Sequence, residues 1–553
     1  MHPLRHSARR AVSGLLLGTA FGALSVTPAF AQAPQASEQG GLQDIIVTAR
    51  KVAENLQDVP VAVTAFTAET LLQQGATKVS DVARTTPSLT VRESPSNPTA
   101  ILITLRGQVQ TDVLATLDPS VGTYVDDMYW SRAYGLNQDL LDLSSVQVLK
   151  GPQGTLFGRN TTGGAMLFET NNPNFDGVSG SIAATYGRFN ERVGTVVVNI
   201  PLIDDKLAIR GALQRNLRDG WMKDRITGDK YNDRDNWAAR GKILYQATDN
   251  LSFLFSAEYF KQDVNASGRQ MLYLIPSGLT APSAAGNASL QAAGAAAAAT
   301  LTAAGLPVPT GINPFSYPAI GASGALQAGG NLRSYYTSLG ASETALSQGV
   351  AGNPNLPDAS PLTRVKTQTY NGTINLDTFF GAIKFVGGWR KVSTTSRLDL
   401  DGSAAPIHTT TGDQTLTQYS GELQITGTAL DDAVDFAGGA FYFHESGFDT
   451  SSSISLPSFN PNTLFFNGEL DNDSIGAYAQ ATYHFTDRLS FTGGLRYSVD
   501  DKGLTTRNST QNRTSGTIAC QIPTATVANG CALRVRDDFD GVSYLASIDY
   551  KLS

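Results

Sequence analysis

Cysteine is nearly absent from this chain: Cys520 and Cys531 are the only two in 553 residues. Two thiols close together in a polar stretch suit neither a metal cluster nor thiol catalysis. In an exported protein a loop disulfide between them is expected, with two free thiols as the alternative. Histidine is almost as scarce. There are five, and His2 and His6 lie in the leader described below. No nucleophile, base and acid can be read as a group, so the sequence predicts no enzyme, and it shows no metal or cofactor site. Positive charge is not in excess either. The formal net charge is −7, which argues against nucleic acid as a partner.

Long apolar runs are missing beyond the N-terminus. Arg5, Arg9 and Arg10 precede the apolar run Ala11 to Val26, and Ala29-Phe30-Ala31 has the form of a cleavage site. Residues 1–31 therefore read as a secretory signal peptide, with the mature chain starting at Gln32 and carrying a charge of about −10. The run is broken by Gly14, Gly18 and Gly22 and is too short for a membrane anchor. Downstream no stretch reaches the about 18 apolar residues of a membrane helix. The Ala-rich segment Ala281 to Gly305 contains Gly, Asn, Gln and Ser, and reads as an exposed helix or low-complexity loop.

From about residue 178 the chain consists of segments in strict alternation. In Ile475 to Phe485 (IGAYAQATYHF) the apolar residues fall on one face, and Leu251–Tyr259, Leu489–Val499 and Val542–Leu552 repeat the pattern. Runs of this length suit tilted strands with lipid on one face and water on the other. A soluble β-sandwich also alternates, but with shorter strands. About twelve strands are expected, starting near residues 178, 191, 206, 236, 251, 366, 379, 416, 433, 472, 489 and 538. Tight turns at Leu202–Lys206 and Thr486–Arg488 contrast with a long connection over 264–365. Short periplasmic turns and long external loops are the outer-membrane pattern, so that connection is expected to be extracellular.

Residues 51–173 differ: short strands are predicted at Val59–Phe66 and Ile101–Leu105, and helices at Ala68–Gln74 and Val79–Arg84. The stretch Val148 to Met166 (VLKGPQGTLFGRNTTGGAM) holds Gly151, Gly154, Gly158, Gly163 and Gly164. A phosphate-binding loop needs Lys and Ser or Thr after its last glycine, and this stretch has Gly-Gly-Ala. Close backbone packing or positive φ remains the reason for the glycines.

A globular domain ahead of a barrel resembles the plug of TonB-dependent outer-membrane receptors, and several segments carry the likeness in order. They are DIIVTAR at Asp44–Arg50, similar to the TonB box; ITLRG at Ile103–Gly107; PSVGTYVDDMYW at Pro119–Trp130; and SSVQVLKGPQGTLFGRNTTGGAMLFETNNP at Ser144–Pro173. YSGELQITG at Tyr419–Gly427 and FTGGLRYS at Phe491–Ser498 extend it into the barrel. Asp127 stands where the family commonly has Gly, and Lys150 where it often has Arg. The resemblance implies an all-β transmembrane barrel with an N-terminal α+β plug inside the lumen. It implies a flexible 32–50 segment with the box, a plug over 51–173 and a barrel over 174–553. Family barrels have 22 strands, so the twelve here are expected to be part of a longer barrel.

The resemblance further implies energy-coupled uptake of a scarce solute across the outer membrane of a Gram-negative-type cell, by a monomer surrounded by outer-membrane lipids. Asp44, Ile45, Ile46, Val47, Thr48, Ala49 and Arg50 would add as a strand to TonB, the energising partner. Residues 32–43 are too few for an extra signalling domain. A ferric siderophore is the default cargo, with cobalamin, an oligosaccharide or an aromatic compound as alternatives, and a porin or adhesin as a rival class. By motif position, Arg92, Gln110, Tyr129, Trp130, Arg132 and Tyr134 are expected to meet the solute, with packing against the wall as the alternative for the aromatics. The glycines are expected to shape the plug, and Arg106 and Lys150 to tie it to inward barrel acids such as Glu422.

Overall fold

The computed structural model describes residues 46–551 except positions 53, 58, 95–96, 111, 225–227, 266, 269–342, 345–360, 401–407 and 456–460. The leader, Asp44, Ile45, the segment Ala281–Gly305 and most of 264–365 lie outside the described residues.

Two regions are built on different patterns. The first is a mixed plug. Its strands are β1 (Val63–Thr67), β2 (Leu89–Ser94), β3 (Asn97–Leu105), β4 (Val121–Val125), β5 (Met128–Trp130), β6 (Leu143–Lys150) and β7 (Gly164–Thr170). Five of them form a sheet in the order β1-β6-β7-β4-β5, in which β7 runs parallel to β4 and antiparallel to β6. Phe66, Leu71, Val82, Ile101, Leu105, Val146, Val148, Met166 and Phe168 pack as its core, each contributing about 1.5–3 kcal/mol by leaving water. Helix α1 (Ala68–Gln73) starts where the Thr67 hydroxyl accepts from the Thr70 amide at 3.3 Å and ends one residue short of the expectation, at the Gln74 cap. Val79–Arg84 is a 3₁₀ helix, entered where the Asp81 carboxylate accepts from the Thr77 and Lys78 amides. The strand expected from Val59 begins only at Val63, consistent with Pro60, which has no N–H for a ladder.

The second region is a meander of twelve antiparallel strands, each paired with its chain neighbour: β8 (Ser179–Gly187), β9 (Glu191–Ile203), β10 (Leu207–Arg218), β11 (Arg234–Thr248), β12 (Leu251–Asn265), β13 (Leu362–Thr378), β14 (Gly381–Asp399), β15 (His408–Ala429), β16 (Val434–Ser455), β17 (Asn462–Thr486), β18 (Leu489–Thr506) and β19 (Leu533–Tyr550). In β17, Leu470, Asn472, Ser474, Tyr478, Gln480 and Thr482 turn inward and are buried. Ile475, Tyr483 and Phe485 turn outward and are exposed, as a lipid-facing band must be. Among the described residues β8 and β19 do not pair with each other, so the sheet is open, and the plug rests on its inner face.

Eight strands start within two residues of the expected positions. β13, β15, β17 and β19 begin earlier, at 362, 408, 462 and 533. Apolar alternation stops where lipid stops, whereas backbone pairing continues beyond it through polar stretches such as HTTTGDQT. The connections at 203–207, 248–251, 378–381, 429–434 and 486–489 gather at one end, called here the short-turn end; the opposite end is the long-loop end.

Candidate functional site: the plug–barrel contact

The hairpin β4–β5 turns on Asp126 (φ 46°) and Asp127 (φ 63°), the left-handed pair that a two-residue turn requires and that Asp tolerates. Asp127 at the family's glycine position therefore leaves the turn intact and adds a carboxylate. Both side chains reach lysines on the wall. Asp126 pairs with Lys242 at 2.9 Å and accepts from the Thr170 amide and hydroxyl, and Asp127 pairs with Lys384. Beside them, burial and then the charges of Asp127 and Asp126 push the Glu169 carboxyl up to about 8. Asp142 adds a two-pronged contact to Arg210, 2.7 Å on each side.

Strand β5 leads into Ser131–Tyr134, which lies against the long-loop half of the wall. Arg132 donates through Nε to Glu445 Oε2 at 3.0 Å and through Nη2 to Oε1, and its Nη1 holds the Leu117 carbonyl and Asp118. Asp118 also pairs with Lys502 and lies 3.7 Å from Arg159. Burial opposes ionisation of Asp118, but Arg132, Arg159 and Lys502 outweigh it and hold the carboxyl at about 2. Arg159 stacks on Phe443 at 4.8 Å, and its Nε finds no hydrogen-bond partner among the described residues.

These contacts locate the residues expected to meet solute. Tyr129 packs on Phe443 and takes a hydrogen bond from Asn160, and burial pushes its phenol up to about 12. Trp130 lies under Arg390 at 4.2 Å, and Tyr134 donates to the Val113 carbonyl at 2.9 Å. All three are buried, as is Arg132, and they lie between the plug and the wall. Gln110 is buried and donates to the Leu117 carbonyl, and Arg92 is exposed.

Glu422 does meet a plug cation, but a different one from those expected. Lys51 Nζ lies 3.2 Å from Glu422 Oε2, while Tyr478 donates to Oε1 at 2.7 Å. Lys51 also sits over the Phe157 ring at 4.8 Å. Arg106 is exposed and forms no ion pair among the described residues, and it lies close enough to Lys150 to lower that amine, after burial. The two cations face each other and not a barrel acid, because the tight turn after β3 aims Arg106 back toward Gly151.

The box residues in view, Ile46–Arg50, are tucked into the same contact. Ile46–Val47 pairs antiparallel with Glu54–Asn55, and Val47 and Ala49 are buried. The Thr48 amide donates to Gln147 at 3.0 Å, and Arg50 reaches Glu54 and Thr482. Gly151, Gly154, Gly158 and Gly163 lie in the connection between β6 and β7, and Gly164 opens β7. At Gly158 (φ +77°) a Cβ would strike the Arg496 guanidinium at 2.5 Å, and at Gly164 (φ +145°) the Leu149 carbonyl oxygen at 2.1 Å. Positive φ and close approach thus account for Gly158 and Gly164. Cys520 and Cys531 are joined in the 506–533 connection.

Sequence reasoning missed Asp118, Arg159, Lys242, Lys384, Glu445 and Lys502. The available signal was an ionisable residue at an inward position of an alternating strand, as for Lys242, Lys384, Glu445 and Lys502.

Residues 55–165 match the family described as TonB-dependent Receptor Plug Domain, and residues 308–553 match TonB dependent receptor-like, beta-barrel. The pesticin receptor of Yersinia pestis is 28% identical over 224 residues, 39% of this chain and 30% of that protein. The catecholate siderophore receptor Fiu of Escherichia coli is 26% identical over 186 residues, 33% of this chain and 22% of that one. The chain thus spans less than a third of the length of these curated relatives where it matches them. In fold it is similar to the ferric yersiniabactin uptake receptor FyuA from Yersinia pestis, with a TM-score of 0.66 at 18% identity, covering 89% of this chain and 62% of that one. The closed form of the ferric-catecholate import receptor Fiu gives a TM-score of 0.60 at 16% identity, covering 90% and 65%.

Proposed function

The chain belongs to the TonB-dependent receptors of the outer membrane, and from that premise we propose that it imports a ferric siderophore, with its plug displaced by a pull on Asp44–Arg50. The observation that carries the reading is the position of Ile46–Arg50. The segment is short and rich in β-branched residues, and it is bound to plug and wall only by hydrogen bonds, one ion pair and apolar contact. Such a segment can leave and add as a strand to the sheet edge of TonB. The chemistry of the cargo is suggested by the named relatives, which are receptors for a catecholate siderophore and for ferric yersiniabactin.

In this reading the short-turn end faces the periplasm and the long loops face outward. Arg92 is an exposed plug cation that an anionic chelate can meet, and Gln110 shapes the loop that ends at Leu117. Tyr129, Trp130, Arg132 and Tyr134 pass a displacement of that loop to the wall. The receptor acts as a monomer within outer-membrane lipid.

The test is uptake and surface binding of labelled ferric siderophores by cells carrying the intact receptor or one lacking Asp44–Arg50. Loss of uptake with binding retained is expected. Unchanged uptake would sink the coupling and favour a porin or adhesin. Saturable uptake of cobalamin, an oligosaccharide or an aromatic compound, with none of the iron chelate, would overturn the cargo.

A further inference from the structure

His444 on β16 and Asp473 on β17 are cross-strand partners, with Asp471 two residues along β17. All three lie on the outward face, since Phe443, Glu445, Leu470 and Asn472 fill the inward positions. They follow the outward Tyr442 and Ile475 toward the long-loop end, with the exposed Phe448 further along β16. One ligand atom from each residue lies within 4.8 Å of the other two.

A hydrogen-bonded histidine explains only part of this arrangement. His444 Nδ1 is 3.1 Å from Asp473 Oδ1 and 3.9 Å from Asp471 Oδ1. A single N–H can satisfy Asp473, but it leaves Asp471 with Arg536 as its nearest cation, at 3.9 Å. The register also places Asp501 opposite Asp473 and Asp538 opposite Asp501, a cross-strand row of three carboxylates in which Arg536 bonds Asp501 at 2.7 Å. Like charges facing each other across strands are unfavourable, and one guanidinium does not balance three carboxylates.

A divalent ion at the centre of the triad would serve all three donors at once. With bonds of about 2.0–2.2 Å, tetrahedral donors lie about 3.4 Å apart, which falls between the two observed separations. The Tyr442 hydroxyl donates to Asp473 at 3.1 Å and orients that carboxylate from outside the triad. The open side has room. A cavity of about 1030 Å³ is lined by His444, Asp471, Arg507, Arg534 and Arg536, and Arg534 has no ion-pair partner among the described residues, so a water or small anion can complete the coordination.

We propose that His444, Asp471 and Asp473 form a binding site for a divalent transition ion of the zinc class on the outer face of the barrel. One imidazole with two carboxylates selects such an ion over Ca²⁺ and Mg²⁺, which favour all-oxygen shells. This inference is independent of the transport reading.

The test is calorimetric titration of the detergent-purified, chelator-stripped receptor with Zn²⁺, and separately with Ca²⁺. One equivalent of Zn²⁺ is expected. His444→Gln and Asp473→Asn should each weaken it by at least the ~10–100-fold that disturbing an outer-shell partner costs. His484→Gln, which alters a histidine–aspartate pair far from the triad, should retain full binding, and Co²⁺ substitution should give d–d bands lost in His444→Gln. Because the triad is partly exposed, the variants should unfold at the wild-type temperature without metal. No saturable binding by the intact receptor, equal binding by His444→Gln, or tighter Ca²⁺ than Zn²⁺ binding would overturn the proposal.

Discussion

The plug is tied to the wall at both ends, and two pairs at one end differ in polarity and chemistry from two at the other, while Asp118–Lys502 and Lys51–Glu422 run the other way in their halves. In the long-loop half the plug supplies Arg132 and Arg159 and the wall supplies Glu445 and Asp500. In the short-turn half the plug supplies Asp126 and Asp127 and the wall supplies Lys242 and Lys384. Arg132 and Glu445 are 4% and 1% exposed, whereas Lys384 and Asp127 are 34% and 21% exposed. A guanidinium fork on a buried carboxylate fixes direction as well as distance, while an ammonium on a flexible stem tolerates sliding. The Arg132 pair therefore registers the plug and the Lys384 pair tolerates sliding, although the short-turn half also holds the Arg210 fork on Asp142 and the buried Lys242.

The largest expected effect comes from breaking the registered half. Arg132→Ala leaves Glu445 buried without its counter-ion and should destabilise the plug–barrel assembly by about 3–5 kcal/mol, read as a shifted denaturant midpoint. A shift below that of Lys384→Ala would break the contrast between the halves.

The second prediction concerns pH. Glu169 is raised above its unfolded value, so between the ordinary glutamate range and about 8 the unfolded chain releases a proton that the folded one keeps. Stability should fall as pH rises through that window and level off above it. Glu169→Gln should flatten the profile, with solvent screening holding the gain near pH 8 to about 1 kcal/mol and no gain at pH 4. A parallel profile for the variant would remove Glu169 from the short-turn cluster.

Smaller still is Lys384→Ala, expected to cost about 0.5 kcal/mol because the pair is partly exposed. Limited proteolysis should nonetheless show faster cutting near the β4–β5 turn than in Arg132→Ala. The reverse order would mean that the lysine half is the rigid one. Asp127→Gly, with no carboxylate for Lys384 but with the turn retained, should behave as Lys384→Ala does.

The twelve strands were legible because lipid imposes alternation residue by residue, as in Ile475–Phe485. The glycine-rich connection was legible because Gly164 leaves no room for any Cβ. The partners of Glu422 and the burial of Tyr129–Tyr134 were not. They depend on how two separately folded surfaces meet, and no local period in either surface encodes that. Lys51 rather than Lys150 reaches Glu422 because the chain between Ala49 and Glu54 folds back along the wall, a path set by the Ile46–Val47 pairing with Glu54–Asn55.

That small pairing has a mechanical consequence. Ile46 and Asn55 face each other at the open end of the hairpin. A load applied upstream of Ile46 and resisted by the body of the plug therefore separates them crosswise. The bonds are loaded one after another and not together, so the segment unzips under a force that a sheared strand of the same length would withstand. Once it is open, the tension passes to Thr48 on Gln147 and Arg50 on Thr482, and then to Lys51 and its grip on Glu422.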